Sequence, residues 1–211
     1  MTALTSPLLR GLLALALLLA LCGCGQTATQ PPALAPEEPQ GLSWDTLEYQ
    51  RSLEILYAEQ FTVDFYTNGY QKIAIGDGNR YLVVPEGAEV PSGVPAEVTV
   101  LRQPLDSIYL VATSAMDLFR QLDAIDAITL AGLDASGWYI EEAREAMEAG
   151  RMVYAGKYSA PDYELIVSKN CDLALESTMI YHNPEVKEQL ERLGVPVLVE
   201  RSSYERHPLG R

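Results

Sequence analysis

Histidine, cysteine and positive charge are all scarce in this 211-residue chain. The two histidines, His182 and His207, cannot build a multi-histidine metal cluster without a second chain. Lys plus Arg number 15 against 29 Asp plus Glu, a formal net charge of −14, and no basic run offsets it. That balance argues against nucleic acid as a partner and against docking on an anionic lipid surface by charge. No Gly-x-Ser-x-Gly nucleophile elbow occurs, and neither His lies in a triad or zinc pattern. Gly76-x-Gly78 lacks the third glycine and the following helix of a dinucleotide fingerprint. What is present is 48% hydrophobic and 21% charged residues, enough to bury the core of one ordinary domain.

The chain opens on an address. Arg10 precedes an uncharged 11-residue apolar run, Gly11 to Leu21, too short for a bilayer that needs about 20 apolar residues. It reads as a secretory signal over 1–23. Leu21-Cys22-Gly23-Cys24 matches a bacterial lipobox, which makes Cys24 the lipidated N-terminus, attached to the extracytoplasmic face of the bacterial membrane. The alternative is ordinary signal cleavage that leaves both thiols unmodified. Residues 24–41 carry Pro31, Pro32, Pro36 and Pro39 and read as a tether. Cys171, with no His nearby to activate it, reads as a small structural residue.

Residues 42–104 read as a β-rich segment: a helix over Leu47–Ala58, then strands at Phe61–Tyr66, Gln71–Ile75, Arg80–Val84 and Val98–Leu101. Asp77-Gly78-Asn79 forms a hairpin turn between two of them. From 105 to 211 strands alternate with helices. The strands are Ser107–Val111, Ala127–Leu130, Met152–Ala155, Leu173–Leu175 and Val195–Val199. Between them, Thr113 or Ser114 caps a helix to Leu122 with Asp117 bonding back to the cap, and Ile140–Ala149 ends at Gly150. A short helix falls in Pro161–Val167, and another begins at Asn183-Pro184. Such an alternation predicts an α/β fold with a doubly wound, mostly parallel sheet.

In such sheets ligands sit beyond the carboxyl ends of the strands. That rule selects Thr113, Ser114, Trp138, Lys157, Tyr158, Ser177, Thr178 and Arg201 as candidate ligand-binding residues. Aromatic faces, hydroxyls and two cations suit a bulky, partly apolar small molecule with acidic or carbonyl edges. Each of these residues can equally serve only to shape its loop.

Four stretches carry a family resemblance. They are the Ile108–Met116 strand and turn, Asp162-Tyr163-Glu164-Leu165-Ile166, Cys171-Asp172-Leu173-Ala174-Leu175-Glu176-Ser177, and Leu190-Glu191-Arg192-Leu193-Gly194-Val195-Pro196-Val197. From Val98 onward the chain resembles the N-terminal lobe of ABC-transporter substrate-binding proteins for cobalamin and ferric siderophores, the class whose two lobes are joined by one long helix. Cys171 stands where that family usually has proline. The resemblance implies a non-catalytic lipoprotein with no cofactor of its own and no bound structural metal. It captures a metal chelate, whether siderophore, haem or cobalamin, and delivers it to a permease and ATPase complex. It also implies that Glu164 docks on the permease, and that residues 105–211 are one ligand-binding lobe whose second lobe is missing. The rivals are a secreted lipoprotein hydrolase using Ser177 or Ser114, and a surface adhesion lipoprotein.

Overall fold

The computed structural model describes residues 41–211, which lie in one compact unit. The expected signal, the expected lipidation site Cys24 and all of the expected tether but Gly41 lie outside the described residues. Among the described residues no helix is long and apolar enough to cross a membrane.

The β-rich part forms one five-stranded sheet in chain order: β1 (Tyr49–Ser52), β2 (Phe61–Tyr66), β3 (Gln71–Ile75), β4 (Arg80–Val84) and β5 (Val98–Arg102). Its pairings are antiparallel except the last, β4 with β5, which is parallel. Period-two alternation along β4 sends Leu82 and Val84 to one face and Tyr81 and Val83 to the other. The first pair packs with Leu47, Tyr70 and Val98 under Trp44 and Val90. The second joins Leu101, Ile108 and Leu173 in a core shared with the second sheet. The β3–β4 turn is held by Asn79, whose backbone N–H and side-chain amide both donate to the Asp77 carboxylate, at 3.0 and 2.9 Å.

The helix expected over Leu47–Ala58 is absent. Tyr49–Ser52 is instead an edge strand on β2, and residues 53–58 form no regular element. Leu53, Leu56 and Tyr57 within this range are exposed, Tyr57 stacking on the His207 ring, and none of them enters a buried core. Cross-strand contacts take over: Arg51 lies 3.8 Å over the Phe65 ring and the Ser52 hydroxyl donates to Asp64.

The second sheet is parallel throughout. Its strands are β6 (Ile108–Leu110), β7 (Ile128–Ala131), β8 (Val153–Tyr154), β11 (Leu173–Ser177) and β12 (Val197–Glu200), in spatial order β12-β11-β6-β7-β8. The short strands β9 (Gly156–Lys157) and β10 (Ala160–Pro161) form a separate two-stranded ladder after β8. Helices α1 (Met116–Gln121) and α2 (Glu141–Glu148) contribute Met116, Ala143 and Ala146 to a cluster with Leu110, Ala112, Ile128 and Ala131. Helices α3 (Tyr163–Ser168) and α4 (Pro184–Arg192) contribute Ile166, Val186 and Leu190 to another with Tyr109, Val111, Leu130 and Ala174. Neighbouring residues of β6 thus go to different clusters, as the pleat requires. The mixed α/β architecture is therefore built from a parallel sheet and a mostly antiparallel one.

Two local expectations need correction. Neither Thr113 nor Ser114 caps α1 through its side chain; residues Thr113–Ala115 form a 3-10 turn, and α1 begins at Met116 without a side-chain cap. Asp117 does not bond back to a cap because its carboxylate is taken by the Arg120 guanidinium. Asn183 precedes α4 as expected, with Pro184 at its first position, but its amide points to Glu185 rather than capping the helix.

Candidate functional site

The carboxyl ends of all five parallel strands lie along one edge of the sheet, so the segments following them share that edge. The chain runs from β6 outward to β7 on one side, whereas β11 pairs on the other, and the split falls between β6 and β11. At this split Val111 and Ala112 both donate their N–H to the Leu175 carbonyl, at 2.9 and 3.0 Å. One carbonyl thereby anchors the start of the Thr113–Ala115 turn.

Several of the candidate residues are joined there. The Ser114 hydroxyl donates to Glu200 Oε2 at 3.3 Å, bridging the segment after β6 to the end of β12. Ser177 accepts the Met179 N–H and so starts the 3-10 turn Thr178–His182, with Thr178 half-buried beside it. Arg201 donates to Gln60 Oε1 at 3.1 Å and to the Tyr181 hydroxyl at 3.2 Å, and its guanidinium lies 4.2 Å over Tyr204. Tyr181 in turn donates to Asp77 in the β3–β4 turn.

The remaining candidates are placed differently. Trp138 is 5% exposed and packs in the α1–α2 cluster, its indole N–H without a partner. Tyr158 is half-buried against the other cluster, so the two aromatics do not share one surface. Lys157 and Thr113 are exposed, as is Glu164, which stands in the first turn of α3 behind its cap Asp162. Cys171 is buried with its thiol directed to the Leu173 carbonyl at 3.4 Å, and burial pushes its pKa up, away from the reactive thiolate. Among the described residues no three His, Cys, Asp or Glu side chains converge as a metal site.

Three residues outside the sequence-based set matter here. Asp77 and Tyr181 complete the chain of bonds to Arg201, and no local motif marks them because their partners are far off in sequence. For Asp77, burial opposes ionisation, but the donors Tyr181 and Asn79 and the nearby Arg201 prevail and hold its pKa below the ordinary 3.8. Glu176 is the third. It is fully buried in β11, neither carboxylate oxygen has a hydrogen-bond partner, and desolvation raises its pKa to about 8. An isolated acid in an otherwise apolar strand of a parallel sheet was its signal, because both faces of such a strand are covered.

A mostly apolar cavity of about 320 Å³ lies beside this edge, walled by Phe61, Val63, Ile73, Ile75, Leu118 and Leu198. Arg201, Glu200 and Glu205 stand among its lining residues. Glu205 is buried and its carboxylate accepts the N–H groups of Glu59 and Gln60, at 2.7 and 2.8 Å. No family model matches the chain, and no curated protein matches it.

Proposed function

We propose that this chain is a solute-binding lobe of a lipid-anchored importer component, which captures a metal chelate and hands it to a membrane permease and ATPase. The observation that carries the reading is the split between β6 and β11, where turns following β6, β11 and β12 are tied together at one sheet edge. A crevice of this kind is where open α/β sheets hold small molecules. The parallel order β12-β11-β6-β7-β8, with α1 and α2 in one cluster and α3 and α4 in another, supports a doubly wound sheet. Arg201 and Lys157 are the cations available to an anionic chelate, and Ser114, Ser177 and Thr178 the hydroxyls. In this reading the protein binds without catalysis: the Ser114 hydroxyl bridges to Glu200 and the Ser177 hydroxyl starts a turn, roles that shape the edge. Two rigid lobes closing on the chelate then favour docking on the permease. Titration calorimetry against a ferric siderophore, haem and cobalamin tests the proposal. Saturable binding of one of them, weakened by Arg201→Ala, supports it; heats of dilution alone for all three overturn it.

A further inference from the structure

Among the described residues Glu176 is the one fully buried acid in the core of the parallel sheet, and its surroundings decide what its proton does. The register that pairs Ala174 with Tyr109 puts Glu176 on the Tyr109 face of the sheet, two residues closer to the open edge. Tyr109 from β6 and Tyr163 from α3 are the titratable groups whose ionisation Glu176 opposes. Around them lie Tyr154 at the end of β8, Cys171 before β11, and Glu185 and Arg192 of α4. None of these serves as a donor to the carboxyl. The Tyr109 hydroxyl is already committed to the Gly156 carbonyl at 2.7 Å, and Arg192 is engaged by Gln189 and Glu188. An ionised Glu176 in this position would be a buried charge without a protein partner, which is strongly disfavoured.

This face of the sheet is covered partly by Ile180, Val186 and Leu190 and partly by a run of short elements that brings Tyr163 near the carboxyl. Residues 155–168 include the two-residue strands β9 and β10 and the six-residue helix α3, held to the sheet by the packing of Ala155, Tyr158, Tyr163, Leu165 and Ile166, the Tyr109–Gly156 bond and the Ala155 N–H bond to the Ala131 carbonyl. Segments of this kind open before the rest of a fold does. We propose that Glu176 is a proton-operated latch: while its carboxyl is protonated residues 155–168 stay packed on the sheet, and loss of that proton releases them into water. The release is an acid dissociation, with Glu176 giving its proton to solvent and the carboxylate taking up hydration in the opened segment. Lys157, Tyr158 and Glu164 all lie in the released segment, so the bearing on ligand capture rests on the binding reading above; the release itself does not.

Hydrogen exchange on the ligand-free protein tests the latch. The open form has an ordinary glutamate, near 4.5, and the closed form titrates at about 8. Opening should therefore grow close to tenfold per pH unit from about pH 6 to 7.5 and level off above about pH 8. Protection factors in 155–168, referred to unstructured amides at the same pH, should fall by that ratio while those of α2 and β7 fall less. In Glu176→Gln the 155–168 factors should be independent of pH. Protection that does not vary with pH in the natural protein, or that falls equally in Glu176→Gln, overturns the proposal. Should that variant not fold, carbon-13 NMR of the glutamate carboxyls in the natural protein decides: no carboxyl titrating above the usual range means no latch.

Discussion

The Tyr181 hydroxyl donates to Asp77 Oδ2 at 2.6 Å, across 104 residues of sequence, and so fastens the tip of the β3–β4 turn to the segment that follows β11. Because Arg201 donates to the same hydroxyl and to Gln60, one phenol oxygen links both sheets to the turn after β12. Tyr181→Phe removes a donor and an acceptor at once and is expected to lower stability by about 1 kcal/mol, the usual net value of a hydrogen bond, since exposure of the site weakens the added benefit of the Asp77 charge. Urea unfolding measures it, and an unchanged midpoint would mean that the link is made and lost at no net gain.

Asp77 gives that link a pH dependence. Its folded pKa is depressed below the unfolded 3.8, so its contribution is present above that value and is lost as pH falls through the folded value. Asp77→Asn should be less stable than the natural protein at neutral pH, with the gap closing as pH falls below 3.8 and through the depressed folded value. Thermal unfolding across an acid series reads the difference; a gap that persists unchanged at low pH would point to packing and not charge.

Gly156 occupies a left-handed conformation, φ +86°, and a Cβ there would lie 2.3 Å from the Ala160 carbonyl oxygen and 2.8 Å from Pro161 Cα. Gly156→Ala is therefore expected to cost about 3 kcal/mol or more, since neither obstructing atom is a side-chain end that can swing away. Gly150, φ +72°, has nothing within 4 Å, and Gly150→Ala should cost only about 1 kcal/mol. Equal losses in the two variants would show that backbone conformation alone, and not the close approach, sets the cost.

Glu164 is exposed at the first turn of α3, and on the proposed importer reading opposite charge on the permease would orient the encounter there. Glu164→Arg should abolish chelate uptake by cells and leave the affinity of the purified protein unchanged. Normal uptake at low chelate concentration refutes the docking role, and joint loss of binding assigns the residue to the ligand site or the fold.

Cys24→Ala should shift the protein from the membrane pellet to the soluble extracytoplasmic fraction, and radiolabelled fatty acid should enter only the natural protein. Retention of the variant in the pellet would remove the lipid anchor from the account.

Much of the architecture was legible because its signals are local. The strand runs Phe61–Tyr66, Gln71–Ile75 and Arg80–Val84 occur where their β-branched and aromatic residues put them, and Pro184 and Gly194 bracket α4. The Leu47–Ala58 helix failed because apolar spacing says nothing about whether an opposing surface exists, and the pairing of Tyr49–Ser52 with β2 is a long-range choice. The site was legible only as a set of loops. Ser114, Ser177 and Arg201 were selected by their place after strands, whereas Gln60 meets Arg201 from 141 residues away and Asp77 is linked to it only through Tyr181, from 124 residues away, beyond any local pattern. Trp138 was chosen as an aromatic in the right loop, and its burial in the α1–α2 cluster depends on tertiary packing that spacing does not encode.

The hydroxyl of Tyr81 donates to the Val197 carbonyl at 2.9 Å, deep in the core shared by the two sheets. The preceding carbonyl, Pro196, serves β11, so that of Val197 faces the free side of β12, the outermost strand of the parallel sheet. An outermost strand with bare carbonyls is a template on which another polypeptide can add. Here the antiparallel sheet lies against that flank and fills the position with a phenol, which cannot propagate a ladder. The β-rich segment thus occupies, at Val197, a position on that flank which an added strand would need.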